Sequence, residues 1–260
     1  MRHPAAPILN ALAYLPERQL TQTPASLGLD YTELSIDTDD GETLHGWWVR
    51  APRSIGHILF THGNGGNIGD RIVLYALLTK AGFDVLTFDY RGYGRSTGRP
   101  SEHGTYRDAR AARRALLDQQ GVDPDRVLYL GKSLGGGVAL ELAQEYPPAG
   151  LMLMSTFTGI RDAARSIYPF LPAPLVPNAY PSERRIRALH VPVLIMHGDQ
   201  DDLLPLRHAQ RLFAAANEPK RLVVFPGATH NDVIMVGGNT WFELVRDWAS
   251  DVLRGVRRQS

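Results

Sequence analysis

Val127-Leu128-Tyr129-Leu130-Gly131-Lys132-Ser133-Leu134-Gly135-Gly136-Gly137 is the stretch from which the rest of the chain can be read. A short apolar run of strand formers stops at Gly131. Past Ser133 the apolar positions Val138, Leu140, Leu142 and Ala143 suit a helix. Gly131 to Gly135 therefore spells G-x-S-x-G across a strand-to-helix turn. A serine on so tight a turn takes a strained backbone, and neighbours without a Cβ let strand and helix close on each other. The Ser133 hydroxyl would stand at the carboxyl end of a strand. The Leu134 N–H, at the following helix N-terminus, would be free to donate to a developing oxyanion. The same letters also describe an ordinary glycine-rich turn, so the reading depends on an acid and a histidine further along. A phosphate-binding loop is excluded, because no G-x-x-x-x-G-K-[ST] spacing surrounds Lys132-Ser133.

Outward from that turn the pattern is regular. Strand candidates fall at 31–37, 43–49, 57–61, 84–88, 126–130, 151–154, 193–196 and 222–225. Helix candidates fall between and after them, at 68–81, 106–120, 134–146, 206–216 and 241–253. The alternation predicts an α/β fold: a mostly parallel sheet of about eight strands flanked by helices on both faces. The first two strands, joined through Asp39-Asp40-Gly41, should form an antiparallel hairpin at one edge.

Bulk properties narrow the function. At 260 residues and 43% hydrophobic, the chain suits one domain over 1–260, with no linker to divide it. A net charge of +1 from balanced acids and bases argues against a nucleic-acid partner. With no cysteine there is no disulfide, thiolate nucleophile or Cys-ligated zinc, which fits a reducing, cytoplasmic setting. The patch Ile8-Leu9-Asn10-Ala11-Leu12-Ala13-Tyr14-Leu15, stopped by Pro16, is too short to span a bilayer. It reads as a docked helix or a weak membrane-surface contact.

In such sheets chemistry gathers at the carboxyl ends of strands. The tips here are His62-Gly63-Asn64, Asp89-Tyr90-Arg91, Gly131-Lys132-Ser133, Ser155-Thr156, His197-Gly198-Asp199-Gln200-Asp201 and Gly227-Ala228-Thr229-His230. The chain order nucleophile, acid, histidine is met by Ser133, an aspartate near 201 and His230. Among the histidines, His230 alone follows the last strand, while His62 and His197 each precede a glycine and read as turn residues bonding backbone.

The whole chain resembles the α/β-hydrolase superfamily and, within it, the BEM46-like branch related to the ABHD13 and ABHD17 serine hydrolases. The resemblance is carried by Tyr14-Leu15-Pro16-Glu17-Arg18, Asp40-Gly41-Glu42-Thr43-Leu44-His45-Gly46-Trp47 and His62-Gly63-Asn64-Gly65-Gly66-Asn67. It continues through Asp89-Tyr90-Arg91-Gly92-Tyr93-Gly94-Arg95-Ser96, the Ser133 turn, the 197–201 tip and His230-Asn231-Asp232. Many relatives carry a longer apolar N-terminal anchor than the patch at 8–15, so membrane residence is not carried over.

The resemblance implies an α/β-hydrolase fold and a Ser133, Asp201, His230 triad. In relatives the acid stands just past two variable positions after His-Gly, which is Asp201. Asp199 would brace the turn, Asp202 would face solvent or cap a helix, and Asp89 would fix the loop after its strand. The second oxyanion donor should be the Asn64 backbone N–H, paired with that of Leu134. Between Ser155 and His190 aromatic and aliphatic residues interleave with prolines. A small cap over 157–190 is expected, with Phe157, Phe170 and Leu171 lining a substrate pocket; the alternative is a proline-stiffened crossover touching no ligand.

The expected chemistry is acyl transfer from a small-molecule ester or thioester to water, needing no cofactor and no metal. Amide hydrolysis or acyl transfer to another acceptor would use the same triad. A non-catalytic ligand-binding protein on the same fold is the rival from another class.

Overall fold

The computed structural model describes residues 14–168, 170 and 176–256. Eight strands form one sheet: β1 (Tyr31–Asp37), β2 (Thr43–Val49), β3 (Gly56–Thr61), β4 (Phe83–Phe88), β5 (Val127–Lys132), β6 (Gly150–Met154), β7 (Val193–Gly198) and β8 (Lys220–Phe225). Their order across the sheet is β8-β7-β6-β5-β3-β4-β2-β1. From β8 to β4 all neighbours are parallel, and β2 runs antiparallel to both β4 and β1. This is the α/β-hydrolase fold, with the expected hairpin at one edge.

The helices are α1 (Ile72–Lys80), α2 (Glu102–Leu117), α3 (Leu134–Glu145), α4 (Ile160–Ile167), α5 (Ser182–Ile186), α6 (Arg207–Ala215) and α7 (Val233–Val256). They explain why the central strands β3, β4, β6 and β7 are buried at every position. Helices cover both faces, so alternate residues of one strand serve two different cores. Leu59, Tyr129, Leu151 and Ile195 pack with α2, α3 and α6 through Ala112, Val138 and Leu212. Their neighbours Ile58, Leu128, Met152 and Leu194 pack on the other side with Tyr75 of α1 and Trp241 of α7.

Three boundaries differ from expectation, each for a local reason. The helix expected over 68–81 begins as a 3-10 turn at Ile68–Arg71, where the Asn67 side chain accepts from Gly69 N–H. Helix α2 starts four residues before Tyr106, capped by Ser101, whose hydroxyl accepts from Gly104 N–H at 3.1 Å. Gly104 is a poor helix former, but a Cβ there would stand 2.6 Å from Arg91 Cδ. Helix α7 begins at Val233, interrupted by Gly238 at φ 47°.

Within 157–190, Phe157, Ala163, Ala179, Tyr180 and Ile186 join the α2–α3 core. The Tyr180 hydroxyl is shared with Tyr14 Oη at 2.7 Å and Thr105 Oγ1 at 2.8 Å. Of the N-terminal apolar patch, residues 8–13 lie outside the described residues; Tyr14 is buried and Leu15 pairs with Gly65. No helix among the described residues is long and apolar enough to cross a membrane.

Candidate active site

Strand β5 delivers Ser133 to the carboxyl edge of the sheet at φ 53°, a left-handed conformation that L-residues avoid. Ser133 N–H donates to Met154 O at 2.9 Å, and Gly136 N–H to Ser133 O at 3.0 Å, so bonds on both sides hold the strained turn. The flanking glycines are required by contact distance. A Cβ on Gly131 would sit 2.6 Å from Gly135 O, and one on Gly135 would sit 1.9 Å from Thr61 O.

The structure brings Ser133, His230 and Asp201 together. His230 Nε2 lies 3.1 Å from Ser133 Oγ, and its Nδ1 lies 2.8 Å from Asp201 Oδ2. A carboxylate can only accept, so Nδ1 carries the proton and Nε2 is left as the acceptor for the serine hydroxyl. The His230 loop is braced by Thr229 N–H donating to Asp232 Oδ1 at 2.6 Å.

Asp201 is 4% exposed and fully engaged. Its Oδ1 accepts from the amides of Leu204 at 2.7 Å and Leu203 at 3.1 Å. Burial by itself raises its pKa. Hydrogen bonds from His197, His230 and the Leu204 amide outweigh that and hold the carboxyl well below the usual carboxylate range. Asp199 is placed differently: its Oδ1 accepts from Gly227 N–H at 2.8 Å, tying the β7 turn to the β8 turn. Asp202 is exposed. Asp89, fully buried, accepts from Ile68 N–H at 2.9 Å and holds the loop after β4 through Ser96.

His62 and His197 bond backbone. His62 Nδ1 donates to Gly63 O at 2.7 Å, and burial, partly offset by Asp89, pushes its imidazole down to about 4. His197 Nε2 donates to Leu204 O at 2.6 Å.

Leu134 opens α3, where its N–H has no helical carbonyl to meet. Its side chain is buried in the core. Asn64 is fixed through its carbonyl, which accepts from Leu15 N–H at 3.0 Å and Tyr93 Oη at 2.8 Å.

A cavity of about 400 Å³ opens on Ser133 and His230. The loop after β3 contributes Gly63, Asn64, Gly65 and Gly66. Around it stand Asp70, Arg71, Lys132 and Asn231, with Leu15 and Leu203 the apolar side chains among the described residues.

Of the residues expected to wall the pocket, Phe157 and Phe170 are not among the described lining residues. Past Ser155, at φ 49°, the chain turns and Phe157 enters the core, 3% exposed, with its ring edge-on to Tyr180 at 6.3 Å. Phe170 is 82% exposed beside Tyr168 and is not part of the cavity lining. Leu171 lies outside the described residues. Arg71 and Lys132 also line the cavity, although neither hydrophobic periodicity nor chain order singles them out. Lys132 could have been found as the variable position beside Ser133; Arg71 carried no sequence signal, because only the turn after Asn67 aims it there.

A family model described as alpha/beta hydrolase fold matches residues 56–173. The alpha/beta hydrolase domain-containing protein WAV2 of Arabidopsis thaliana is 33% identical over 243 residues, covering 85% of this chain and 79% of that protein. The chain belongs to the α/β-hydrolase family. Protein bem46 of Schizosaccharomyces pombe is another relative of this chain, 29% identical over 245 residues, 90% of this chain and 81% of that one. Among solved structures, an esterase of Pyrococcus furiosus superposes on this chain with a TM-score of 0.77 at 23% identity, covering 92% and 99% of the two chains. At that identity the likeness is one of fold.

Proposed function

We propose that this α/β hydrolase is a serine hydrolase that cleaves a carboxylic ester or thioester through an acyl-enzyme intermediate. The observation that carries the reading is His230, with Nε2 at 3.1 Å from Ser133 Oγ and Nδ1 at 2.8 Å from Asp201. His230 takes the Ser133 proton as Oγ attacks the carbonyl carbon. The Leu134 and Asn64 amides receive the negative oxygen of the tetrahedral intermediate. On collapse, His230 gives its proton to the departing alcohol or thiol, then draws one from water to release the acid and restore Ser133. Asp201, held ionised by its donors, keeps the imidazole in its working tautomer. The Pyrococcus furiosus neighbour, itself an esterase, is in keeping with ester cleavage.

Turnover of p-nitrophenyl acetate and of an acyl thioester by the purified protein tests the reading. Ser133→Ala should lower kcat by about 10⁶ if the three side chains act as a unit. A folded Ser133→Ala protein keeping a tenth of the wild-type rate would remove Ser133 as the nucleophile.

A further inference from the structure

Charged side chains line the cavity beside Ser133 together with Leu15 and Leu203 among the described residues. Arg71 and Lys132 both line it. Arg71 closes the 3-10 turn after Asn67, and one terminal nitrogen donates to Gly65 O at 2.8 Å. Its Nε is buried and has no hydrogen-bond partner among the described residues. Arg71 reaches the cavity wall, and its positive charge acts there without a direct bond from this nitrogen. Lys132, the residue before Ser133, spends one of its three donors on Asn231 Oδ1 at 3.1 Å.

The acidic residue of the lining, Asp70, is engaged: its Oδ2 accepts from Asn67 N–H at 2.9 Å. Among the described lining residues, two cations thus stand beside one carboxylate that is already engaged. Burial, and then the charge of Arg71, pulls Lys132 down to about 8, while Asp201 and Asp232 pull it upward. The two cations therefore oppose each other, and an anion between them would favour both.

Resting on the serine-hydrolase reading, we propose that the substrate is a small ester bearing its own carboxylate, which Arg71 and Lys132 hold while Ser133 attacks the ester carbonyl. The carboxylate positions the substrate and the bond broken remains the ester C–O bond, so the products are an acid and an alcohol.

The test compares kcat/KM for charged and neutral esters of matched shape. Monomethyl glutarate against methyl pentanoate places the charge on the acyl side. 3-Acetoxybenzoate against phenyl acetate places it on the leaving group. At least one charged ester should be preferred by about tenfold or more, the scale of one charge-assisted hydrogen bond. That preference should be carried mainly by KM and should shrink in Arg71→Gln, in Lys132→Gln and in high salt. Equal or better turnover of both neutral esters, or a preference unchanged in both variants, overturns the carboxylate subsite and leaves the hydrolase reading standing. If no ester is turned over, that counts against the hydrolase reading. Calorimetric binding of monomethyl glutarate then decides the subsite: binding weakened in Lys132→Gln supports it, and no binding to the wild type overturns it.

Discussion

His197 Nε2 lies 3.3 Å from Asp201 Oδ2, the same oxygen that faces His230 Nδ1 at 2.8 Å. Two imidazoles converge on one carboxylate oxygen, while the Leu203 and Leu204 amides occupy the other. Both acceptors within reach of His197 Nε2, Leu204 O and Asp201, can only accept, so that nitrogen carries the proton. Asp201 is thereby fixed in direction before any substrate arrives.

Asp201→Asn and Asp199→Asn should consequently fail in different ways. An asparagine at 201 can present the wrong group to His230 and disfavour its working tautomer, a change worth up to about 10⁴ in kcat in the serine-protease precedent. Asp199→Asn weakens one hydrogen bond between turns, on the order of 1 kcal/mol or less, with the rate largely kept. Kinetics and melting curves on both variants check this. A well-folded, inactive Asp199→Asn beside an active Asp201→Asn would reverse the assignment.

The depressed pKa of Asp201 also predicts how stability responds to acid. Its folded value lies below the unfolded value of about 3.9. Its contribution is therefore present above that value and lost as pH falls through the lower, folded one. Urea unfolding from pH 6 to pH 3 should show wild-type stability falling more steeply than that of Asp201→Asn. Parallel curves would mean that Asp201 is not held ionised by its neighbours.

Lys132 supplies a signature at the other end of the pH scale. With its pKa near 8, it loses charge as pH rises through that value. The preference for a carboxylate-bearing ester should decline between about pH 7 and 9, with the neutral ester as internal control for changes elsewhere. Burial is the largest cause of this shift and the charges acting on it are Arg71, Asp201 and Asp232, so Arg71→Gln should move the decline to higher pH. A charged-to-neutral ratio flat across that range would exclude Lys132 as its source.

Phe157→Ala should be a stability variant. The ring is buried against Tyr180 in the α2–α3 core, and its truncation should cost about 3–5 kcal/mol. Rates on short and longer esters should change in proportion in whatever folded fraction remains. A selective loss on longer esters with normal stability would return Phe157 to the substrate wall.

The sheet was legible because its strands are covered on both faces. Runs such as Leu128-Tyr129-Leu130 are apolar throughout, and each ends in glycine or a polar tip. Chain order also pointed to Ser133, His230 and an aspartate near 201, since each closes a strand. What a linear reading could not supply was direction. Ser155 at φ 49° turns Phe157 inward, and the 3-10 turn after Asn67 places Arg71 in the cavity; neither follows from hydrophobic periodicity. Helix α2 begins ahead of its periodic residues because Gly104 serves contact with Arg91 against its own helix propensity.

The most direct test of Ser133 as an activated nucleophile is covalent capture. The purified protein should be treated with a fluorophosphonate and examined by intact mass and peptide mapping. One adduct per chain on Ser133 is expected, absent in Ser133→Ala and strongly slowed in His230→Ala, because His230 must take the hydroxyl proton. An unlabelled wild-type protein, or an adduct on another residue, would contradict the account.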